Sequence, residues 1–229
     1  MNHHNTLILS ILTVALLTFS TPAYAEMTVR VLDVGQGDSI LVVSDGHSLL
    51  FDAGPSQANV AEKLQSLGIT ALDYFITSHP DADHIGGAAN VINKIPIGTY
   101  ADSGATHTTK TYENMIQALG DTNTPYTELS TGETFKLGDV QVDVLASGGV
   151  NGDNNAGSVV LKLTDGTVTM VLSGDREKFN IWPAMILVVP HHESFGSNIE
   201  VVGLQDVIMS MGAETRYDYP AQKDRKSVV

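Results

Sequence analysis

Four side chains able to bind metal ions crowd into one short segment of this chain. Two histidines and two aspartates, His79, Asp81, Asp83 and His84, fall within six residues, directly after the apolar run 72–78 (LDYFITS). Charged groups so close together are poor core material, because a buried charge must be paired or ligated. Neutral imidazole and carboxylate are, however, the usual nitrogen and oxygen ligands of zinc and similar divalent ions. The segment therefore predicts a metal site, the alternative being a solvated acidic loop.

Residues 78–87 (SHPDADHIGG) resemble the ligand signature of the metallo-β-lactamase superfamily, His-x-[His/Asp]-x-Asp-His, in its His-x-Asp-x-Asp-His variant. That variant is similar to the hydrolase domain of ComEC-type competence proteins for DNA uptake and to their free-standing relatives. The resemblance covers about residues 28–220. Further segments that agree with it, in chain order, are 31–39 and 49–54 as opening strands, 158–163 and 171–175 as a central strand pair, and 188–192 as the last ligand strand.

The resemblance implies a site that holds two adjacent divalent ions. By position, His79 and Asp81 would bind the first ion, and Asp83 and His84 would bind the second. Asp175 matches the carboxylate that bridges the two ions in the family. The alternative for Asp175 is a helix cap, which is the common role of a lone aspartate at such a place.

Three further histidines are candidate ligands. His191 and His192 end the last ligand strand of the resemblance. Because neighbouring residues on a strand point to opposite faces, both would bind only if the strand ended there, and which one binds stays open. His107 lies in a segment (107–112, HTTKTY) that resembles one in family members, where it would complete the first metal's ligands. An exposed loop histidine is the alternative.

Two divalent ions at such a site would perform hydrolysis. Together they hold and deprotonate a water molecule, polarise the scissile bond and stabilise a leaving oxygen. Asp83 or Asp175 would orient the resulting hydroxide, so both are candidate catalytic residues. A carboxylate in the second ligand position makes the site richer in oxygen than a three-histidine lactamase site. That favours Mn²⁺ as well as Zn²⁺, and phosphoesters over lactams.

Three functional interpretations follow. The first is a dinuclear metal hydrolase acting on a phosphodiester, either a small molecule or nucleic acid, and the second is a hydrolase of a lactam, lactone or small ester. The third is a degenerate metal-binding domain without activity, because the chain departs from the family pattern near its end. Glu193 replaces a usual glycine, Tyr219 stands at a usual histidine place, and the chain stops at Val229, where a final helix is expected. The departures also leave open a fold shortened at its C-terminus.

The N-terminal residues predict export. Residues 6–19 form an uncharged apolar run, too short for a comfortable membrane span of ~20 residues, and a small-x-small pattern follows at residues 23–25. Together they predict a signal peptide, residues 1–25, cut after Ala25, and a secreted or periplasmic location. The alternative is an uncleaved anchor, because residues 1–5 carry no Lys or Arg. No other segment is long and apolar enough to span a bilayer.

Composition narrows the chemistry further. The chain has no cysteine, so neither a disulfide nor a thiolate ligand is available. Its net charge of −14 opposes broad, non-specific binding to nucleic acid, which relies on Lys and Arg against phosphate. Phosphodiester chemistry remains compatible with that charge where dications supply the positive charge.

The hydrophobic pattern predicts an α/β fold. Short strands joined by glycine-containing turns alternate with amphipathic helices along residues 26–229, which we expect to form one domain. Strand-rich blocks flanked by helices favour an αββα sandwich, the architecture that the resemblance also implies. The predicted helices are 56–67, 85–93 and 109–119; the predicted strands are 28–34, 39–44, 47–52, 72–78, 97–102, two within 135–145, 158–164, 167–173, 184–190 and 207–211.

Overall fold

Two β-sheets pack face to face, and helices cover the outer face of the first sheet. A computed structural model describes residues 27–148, 152–176 and 184–188, and the backbone of residues 206–208. The strands are β1 (Thr28–Val31), β2 (Ile40–Ser44), β3 (His47–Phe51), β4 (Leu72–Ile76), β5 (Ile97–Asp102), β6 (Tyr126–Glu128), β7 (Thr134–Leu137), β8 (Val140–Ala146), β9 (Val160–Asp165), β10 (Val168–Leu172), β11 (Ile186–Val188) and β12 (Asp206–Ile208). The helices are α1 (Val60–Ser66), α2 (Ala82–Ile85), α3 (Ala88–Lys94) and α4 (Lys110–Thr122), and Ser56–Ala58 forms a single 3₁₀ turn.

Each sheet is built from a contiguous part of the chain. Within the described residues, the first sheet has the strand order β1-β2-β3-β4-β5-β6 and the second the order β12-β11-β10-β9-β8-β7. Strands β3 to β6 run parallel, so each pair needs a crossover, which the helices provide. The carboxyl ends of β3, β4 and β5 therefore meet at one edge of the sheet. Asp52, His79 and Asp102 all lie at that edge.

Alternating side chains of the first sheet fill two separate cores. Leu41, Leu50 and Phe75 face the helices, and their sequence neighbours Ile40 and Leu49 face the second sheet. This division follows from the period of two along a strand. The inter-sheet core is completed by buried residues of β8 to β11, namely Val140, Val142, Val144, Leu161, Leu163, Met170, Leu172 and Val188. The predicted α/β sandwich of the metallo-β-lactamase type is thus the observed arrangement of the described layers.

The second sheet brings a late part of the chain to the edge of the first. β9 and β10 form an antiparallel hairpin through Asp165 and Gly166, as the Asp-Gly pair predicts. β10 then ends at Leu172, and the chain turns through Gly174, whose φ is +51°. The hairpin and this turn together place Asp175 against the ligand segment of the first sheet.

Several element boundaries differ from the prediction. The predicted helix 56–67 is wrong as a single element, because Asn59 adopts a left-handed conformation (φ 53°) that separates the 3₁₀ turn from α1. The predicted helix 85–93 instead starts inside the ligand segment as α2 and restarts as α3 after a glycine pair. At the second of these, Gly87, a Cβ would lie 2.4 Å from the Ala53 carbonyl oxygen, so only glycine allows the helix to pack so closely. Strand β6 was not predicted, since its three residues are all exposed and show no alternation.

Some predictions fall on residues that the structure does not describe. These are the leader 1–25, strand residues 189–190 and 209–211, and the histidine pair His191 and His192. In the part of the chain that is described, no helix combines the length and the apolar character that crossing a bilayer requires.

Candidate metal centre

Two buried imidazoles and one buried carboxylate meet where the two sheets join. His84 Nε2 lies 3.1 Å from Asp175 Oδ1, and His79 Nε2 lies 3.8 Å from Asp175 Oδ2. The two rings are tilted against each other with centroids 4.2 Å apart. The potential ligand atoms of all three residues lie within 4.8 Å of one another. Residues more than 90 positions apart along the chain thus surround one small volume.

Two further carboxylates form the open rim of this volume. Asp81 Oδ2 lies 3.7 Å from His79 Nε2, and Asp83 Oδ2 lies 4.0 Å from His84 Nε2. Their side chains are about one-third exposed (37 % and 34 %), whereas the imidazoles are buried. Asn154 fixes the rim by donating a hydrogen bond of 2.9 Å from Nδ2 to Asp81 Oδ1. The buried groups therefore form the floor of the site, and the rim faces solvent.

The local secondary structure explains this division. β4 ends at Ile76, so His79 follows directly from the sheet edge, and Asp81 begins the single helical turn α2 that carries Asp83 and His84. Asp81 makes no side-chain cap to that helix, and its carboxylate turns to the site instead. A Cβ at Gly37 would lie 2.1 Å from the Asp83 carbonyl oxygen. Glycine there lets the β1–β2 loop close tightly over this turn.

The site is strongly attractive to positive charge. The neighbouring His79 imidazole, followed by the Asn154 amide, outweighs burial and lowers the pKa of Asp81 to about 2. Burial alone would lower the pKa of His84, but the charges of Asp175 and then Asp52 outweigh it and raise that pKa well above its usual value. A proton on His84 thus offsets the negative charge of these carboxylates, which a bound cation would also offset.

A fourth carboxylate, that of Asp52, orients the imidazoles from the side away from the site. His84 Nδ1 lies 2.9 Å from Asp52 Oδ2, and Asp52 also accepts hydrogen bonds from the Ser78 backbone N–H and hydroxyl, both 2.7 Å long. Because the Ser78 hydroxyl donates to Asp52, it accepts from His79 Nδ1, at 2.9 Å. Both rings therefore carry their proton on Nδ1 in the neutral state. Their Nε2 lone pairs are left pointing into the site, the arrangement that ligating histidines use.

Sequence reasoning assigned no role to Asp52 or Ser78. Asp52 is fully buried and adopts a left-handed conformation, φ 59°, directly after β3. One signal in the sequence points to it: an aspartate at the end of an apolar strand cannot stay buried without partners. Asp38, also buried, belongs to the same layer, since its carboxylate, that of Asp52 and a ring nitrogen of His84 lie within 4.8 Å of one another.

The donor set fits a divalent cation. His79 Nε2 is fully buried and has no hydrogen-bond partner among the described residues, a costly state for a polar atom unless a ligand satisfies it. Two imidazole nitrogens with three carboxylates suit zinc, and the share of oxygen also suits manganese. The Asp175 oxygens face one imidazole each, which is the placement that a bridging carboxylate needs.

The other predicted ligands do not join this group in the described structure. His107 lies before α4, where its Nδ1 accepts a hydrogen bond of 3.1 Å from the Thr109 backbone N–H. It belongs to neither cluster of histidine and aspartate side chains that the described residues form. His191 and His192 lie outside the described residues, so their roles as ligands stay predictions. The residues that would follow Asp175 in a helix, 177–183, lie outside the described residues, so its alternative role as a helix cap stays open.

The sequence profile of the metallo-beta-lactamase superfamily matches residues 32–208. The chain belongs to the metallo-β-lactamase superfamily. Among solved members of this fold, Zn(2+)-bound PqqB from Methylobacterium extorquens matches with a TM-score of 0.50 and 15% identity, over 67% of this chain and 59% of that one. At this level of identity the likeness concerns the fold alone.

Within the superfamily, the chain is similar to competence proteins, as its ligand motif predicts. It is 28% identical to ComE operon protein 3 of Bacillus subtilis, over 92% of this chain and 32% of that protein. It is also 28% identical to competence protein ComA of Neisseria gonorrhoeae, over 86% of this chain and 29% of that protein. The chain thus spans about a third of the length of these curated relatives.

Proposed function

We propose that the chain is a metal-dependent hydrolase with a dinuclear site, and that its substrates are phosphodiesters. The observation that carries this proposal is the convergence of His79, His84 and Asp175, with one Asp175 oxygen toward each imidazole. These buried titratable groups are brought together from two sheets. They suit a pair of cations better than they suit a core.

The proposal assigns the ligands as follows. His79 and Asp81 would hold one ion, Asp83 and His84 would hold the other, and Asp175, which lies near both imidazoles, would be a ligand shared by the two ions. One of His191 and His192 supplies a late ligand, and His107 is a candidate for the sixth. When bound, two divalent cations supply Lewis acidity that activates water and offsets negative charge on the leaving oxygen.

Residues of the chain have further roles in orienting the ligands and the attacking water. Asp52 and Ser78 hold the imidazole protons on Nδ1, which keeps both Nε2 atoms as acceptors. Asp83 lies on the open rim, so besides holding an ion its carboxylate would orient a water molecule that enters from solvent. Asp175, almost fully buried, keeps its charge fixed at the floor of the site.

Oxygen-rich ligation favours phosphodiesters over lactams. Three carboxylates face two imidazoles here, and hard oxygen ligands select hard cations such as Mn²⁺, which suit phosphate oxygens. The acidity of the rim also requires that the charge of a phosphate be met by the bound cations, because the chain carries a net charge of −14.

Metal analysis and two substrate assays test the proposal together. We expect about two equivalents of Mn²⁺ or Zn²⁺ per chain after loading, and hydrolysis of bis-p-nitrophenyl phosphate but not of a chromogenic lactam. Asp83→Ala and Asp175→Ala should abolish hydrolysis, and both should lower the metal content because each removes a proposed ligand. Asp139→Ala, a change in an exposed turn, is the matched control and should keep both properties.

The outcomes separate the alternatives. A chain that takes up no dications after careful loading would be a degenerate member of the superfamily. Preferential cleavage of the lactam would overturn the choice of substrate but keep the metal site. Hydrolysis that persists in Asp175→Ala would place the chemistry elsewhere.

A further inference from the structure

A groove runs along most of α4, the helix that contacts α2 of the candidate metal centre. It has a volume of about 330 Å³, near the lower end of the range for ligand pockets. We call it the α4 groove; its lining residues are His107, Tyr112, Glu113, Ile116, Gln117 and Gly120. Neither the ligand set nor the fold has a use for this feature.

The Tyr112 side chain separates the α4 groove from the metal centre. Tyr112 also lines a small recess whose wall includes His79, Asp102 and Met115. Burial, and then the charge of Asp102, which lines the same recess, raise the pKa of the Tyr112 phenol. Tyr112 therefore lines both the recess that reaches His79 and the α4 groove.

Apolar groups line the α4 groove along one face of the helix. Ile116 lies one helical turn after Tyr112, so both side chains occupy the same face of α4. Ile116 is 42 % exposed, among the few large hydrophobic residues that the described surface leaves open. Gly120 follows after one more turn, and a Cβ there would meet nothing within 4 Å. The aromatic ring, the aliphatic side chain and the open position make a platform about 12 Å long at 1.5 Å per residue.

Polar groups surround this platform. His107 Nδ1 accepts from the Thr109 N–H, so in the neutral ring the proton is on Nε2, which is then a donor. Glu113 offers carboxylate oxygens and is ion-paired with Lys110 at 3.2 Å, so its charge is partly compensated. Gln117 offers both a donor and an acceptor through its amide. The groove thus combines apolar side chains with hydrogen-bonding groups.

We propose that the α4 groove is a nucleoside subsite: it stacks the base of a nucleotide substrate against Tyr112 and Ile116 while the phosphodiester lies at the metal centre. A nucleobase is planar and carries donors and acceptors along its edges, which matches the apolar and the hydrogen-bonding groups of the groove. Stacking on an aromatic side chain binds any base, since every base has a π face. The inference rests on the proposed phosphodiesterase function and gives His107 a role toward substrate instead of metal.

Two chromogenic diesters test the subsite in the metal-loaded protein. Methyl p-nitrophenyl phosphate and thymidine 5′-p-nitrophenyl phosphate share the reacting group and differ in the nucleoside. We expect kcat/KM to be about tenfold higher for the thymidine diester, mainly through a lower KM, because one base stacks. Tyr112→Leu keeps an apolar side chain against the core and should remove most of that preference. Gly120→Leu should do the same by filling the groove, while Gln65→Leu, on the exposed face of α1, should preserve it.

Binding of thymidine 5′-monophosphate, measured by calorimetry, gives a readout that does not depend on turnover. We expect Tyr112→Leu and Gly120→Leu to weaken it about tenfold. His107→Ala should weaken it as well and leave the metal content unchanged. Equal affinity in the parent chain, Tyr112→Leu and Gly120→Leu would overturn the subsite, and a loss of metal in His107→Ala would return that residue to the ligand set. If neither diester is cleaved but binding still depends on Tyr112, the subsite stands and the proposed hydrolase function fails.

Discussion

His84 presents its two ring nitrogens to two different carboxylates: Nδ1 lies 2.9 Å from Asp52 and Nε2 lies 3.1 Å from Asp175. The first contact comes from the first sheet, and the second comes from the turn after β10 of the second sheet. The imidazole is therefore held from both sides of the sandwich, and its orientation is fixed before any cation arrives.

The Asp52 contact should control metal affinity. Asp52→Asn leaves the left-handed backbone acceptable, since asparagine tolerates it well, but removes the charge that holds the Nδ1 proton of His84. We expect the affinity for Zn²⁺ or Mn²⁺ to fall about 10- to 100-fold, the usual effect of losing a carboxylate behind a histidine ligand. Competition with a chromophoric chelator measures this directly.

Asp73→Asn is the matched control for that experiment. Asp73 also accepts from a histidine Nδ1, that of His47 at 3.0 Å, and from a backbone N–H, that of Ser48 at 2.8 Å. It lies at the opposite end of β4 from the site, so its loss should leave metal affinity unchanged. Equal effects of the two substitutions would mean that Asp52 acts only through stability.

Two glycines with the same backbone conformation should respond differently to alanine. Gly166 (φ 56°) has open space where a Cβ would lie, so Gly166→Ala should cost only the left-handed strain of about 1–2 kcal/mol. Gly174 (φ 51°) has the Ser78 Cβ 2.5 Å from that position. Gly174→Ala should therefore add an overpacking cost of about 1–3 kcal/mol and push Asp175 away from the histidines.

Urea denaturation of the two alanine variants checks the difference, with metal affinity as the second measurement. Gly166→Ala should bind metal like the parent chain, and Gly174→Ala should bind it more weakly. Equal losses of stability would show that Ser78 moves aside without cost.

Stability should depend on pH through Asp102. Burial raises the pKa of Asp102 above its ordinary value of 3.8, so the folded chain holds this proton to a higher pH than the unfolded chain does. Its contribution to stability is therefore full below the ordinary pKa and is lost as the pH rises through the folded pKa. Asp102→Asn keeps an oxygen for the Gly104 N–H and the Tyr126 hydroxyl, at 2.8 and 2.9 Å, and cannot ionise.

The free energy of unfolding, measured in urea over a series of pH values, tests this expectation. The advantage of Asp102→Asn over the parent chain should grow as the pH rises through the folded pKa. Parallel pH profiles would contradict a buried ionised carboxylate at this position.

Export is a separate prediction from the N-terminal residues. We expect the exported chain to begin at Glu26, because the apolar run 6–19 and the small residues 23–25 form a cleavable signal. Intact-mass analysis of the chain expressed in a bacterium with a signal peptidase decides this. Ala25→Arg should block cleavage, and a full-length mass for the parent chain would indicate the uncleaved anchor instead.

The sequence predicted the parts of the fold that depend on local patterns. Strands β2, β3, β4 and β5 were predicted to within a few residues, because their apolar runs are bounded by glycine, proline or aspartate turns. The break at Asn59 was missed, since a left-handed asparagine leaves no trace in a helical hydrophobic pattern. β6 was missed because its three residues are exposed and show no hydrophobic alternation.

In the candidate site, too, residues close together in the sequence could be predicted, whereas contacts between distant residues could not. The ligand segment at residues 79–84 is dense enough in histidine and aspartate to be found directly. The partnership of His84 with Asp52 was not found, because it joins residues 32 positions apart through a backbone conformation that sequence does not reveal. The role of Asp175 came from family resemblance, and the structure brings it to both histidines without testing whether it binds metal.

Each sheet is formed by one continuous part of the chain, and this affects how the protein should respond to chelators. The part of the chain up to β6 supplies His79 and His84, and the part from β7 onward supplies Asp175. A cation bound by all three residues would therefore link the two sheets. Removal of the ion by a chelator should break this link while leaving each sheet folded. Amide hydrogen exchange should then become faster first in the residues at the ends of β4 and β10. Limited proteolysis should cleave the chain there before global unfolding occurs.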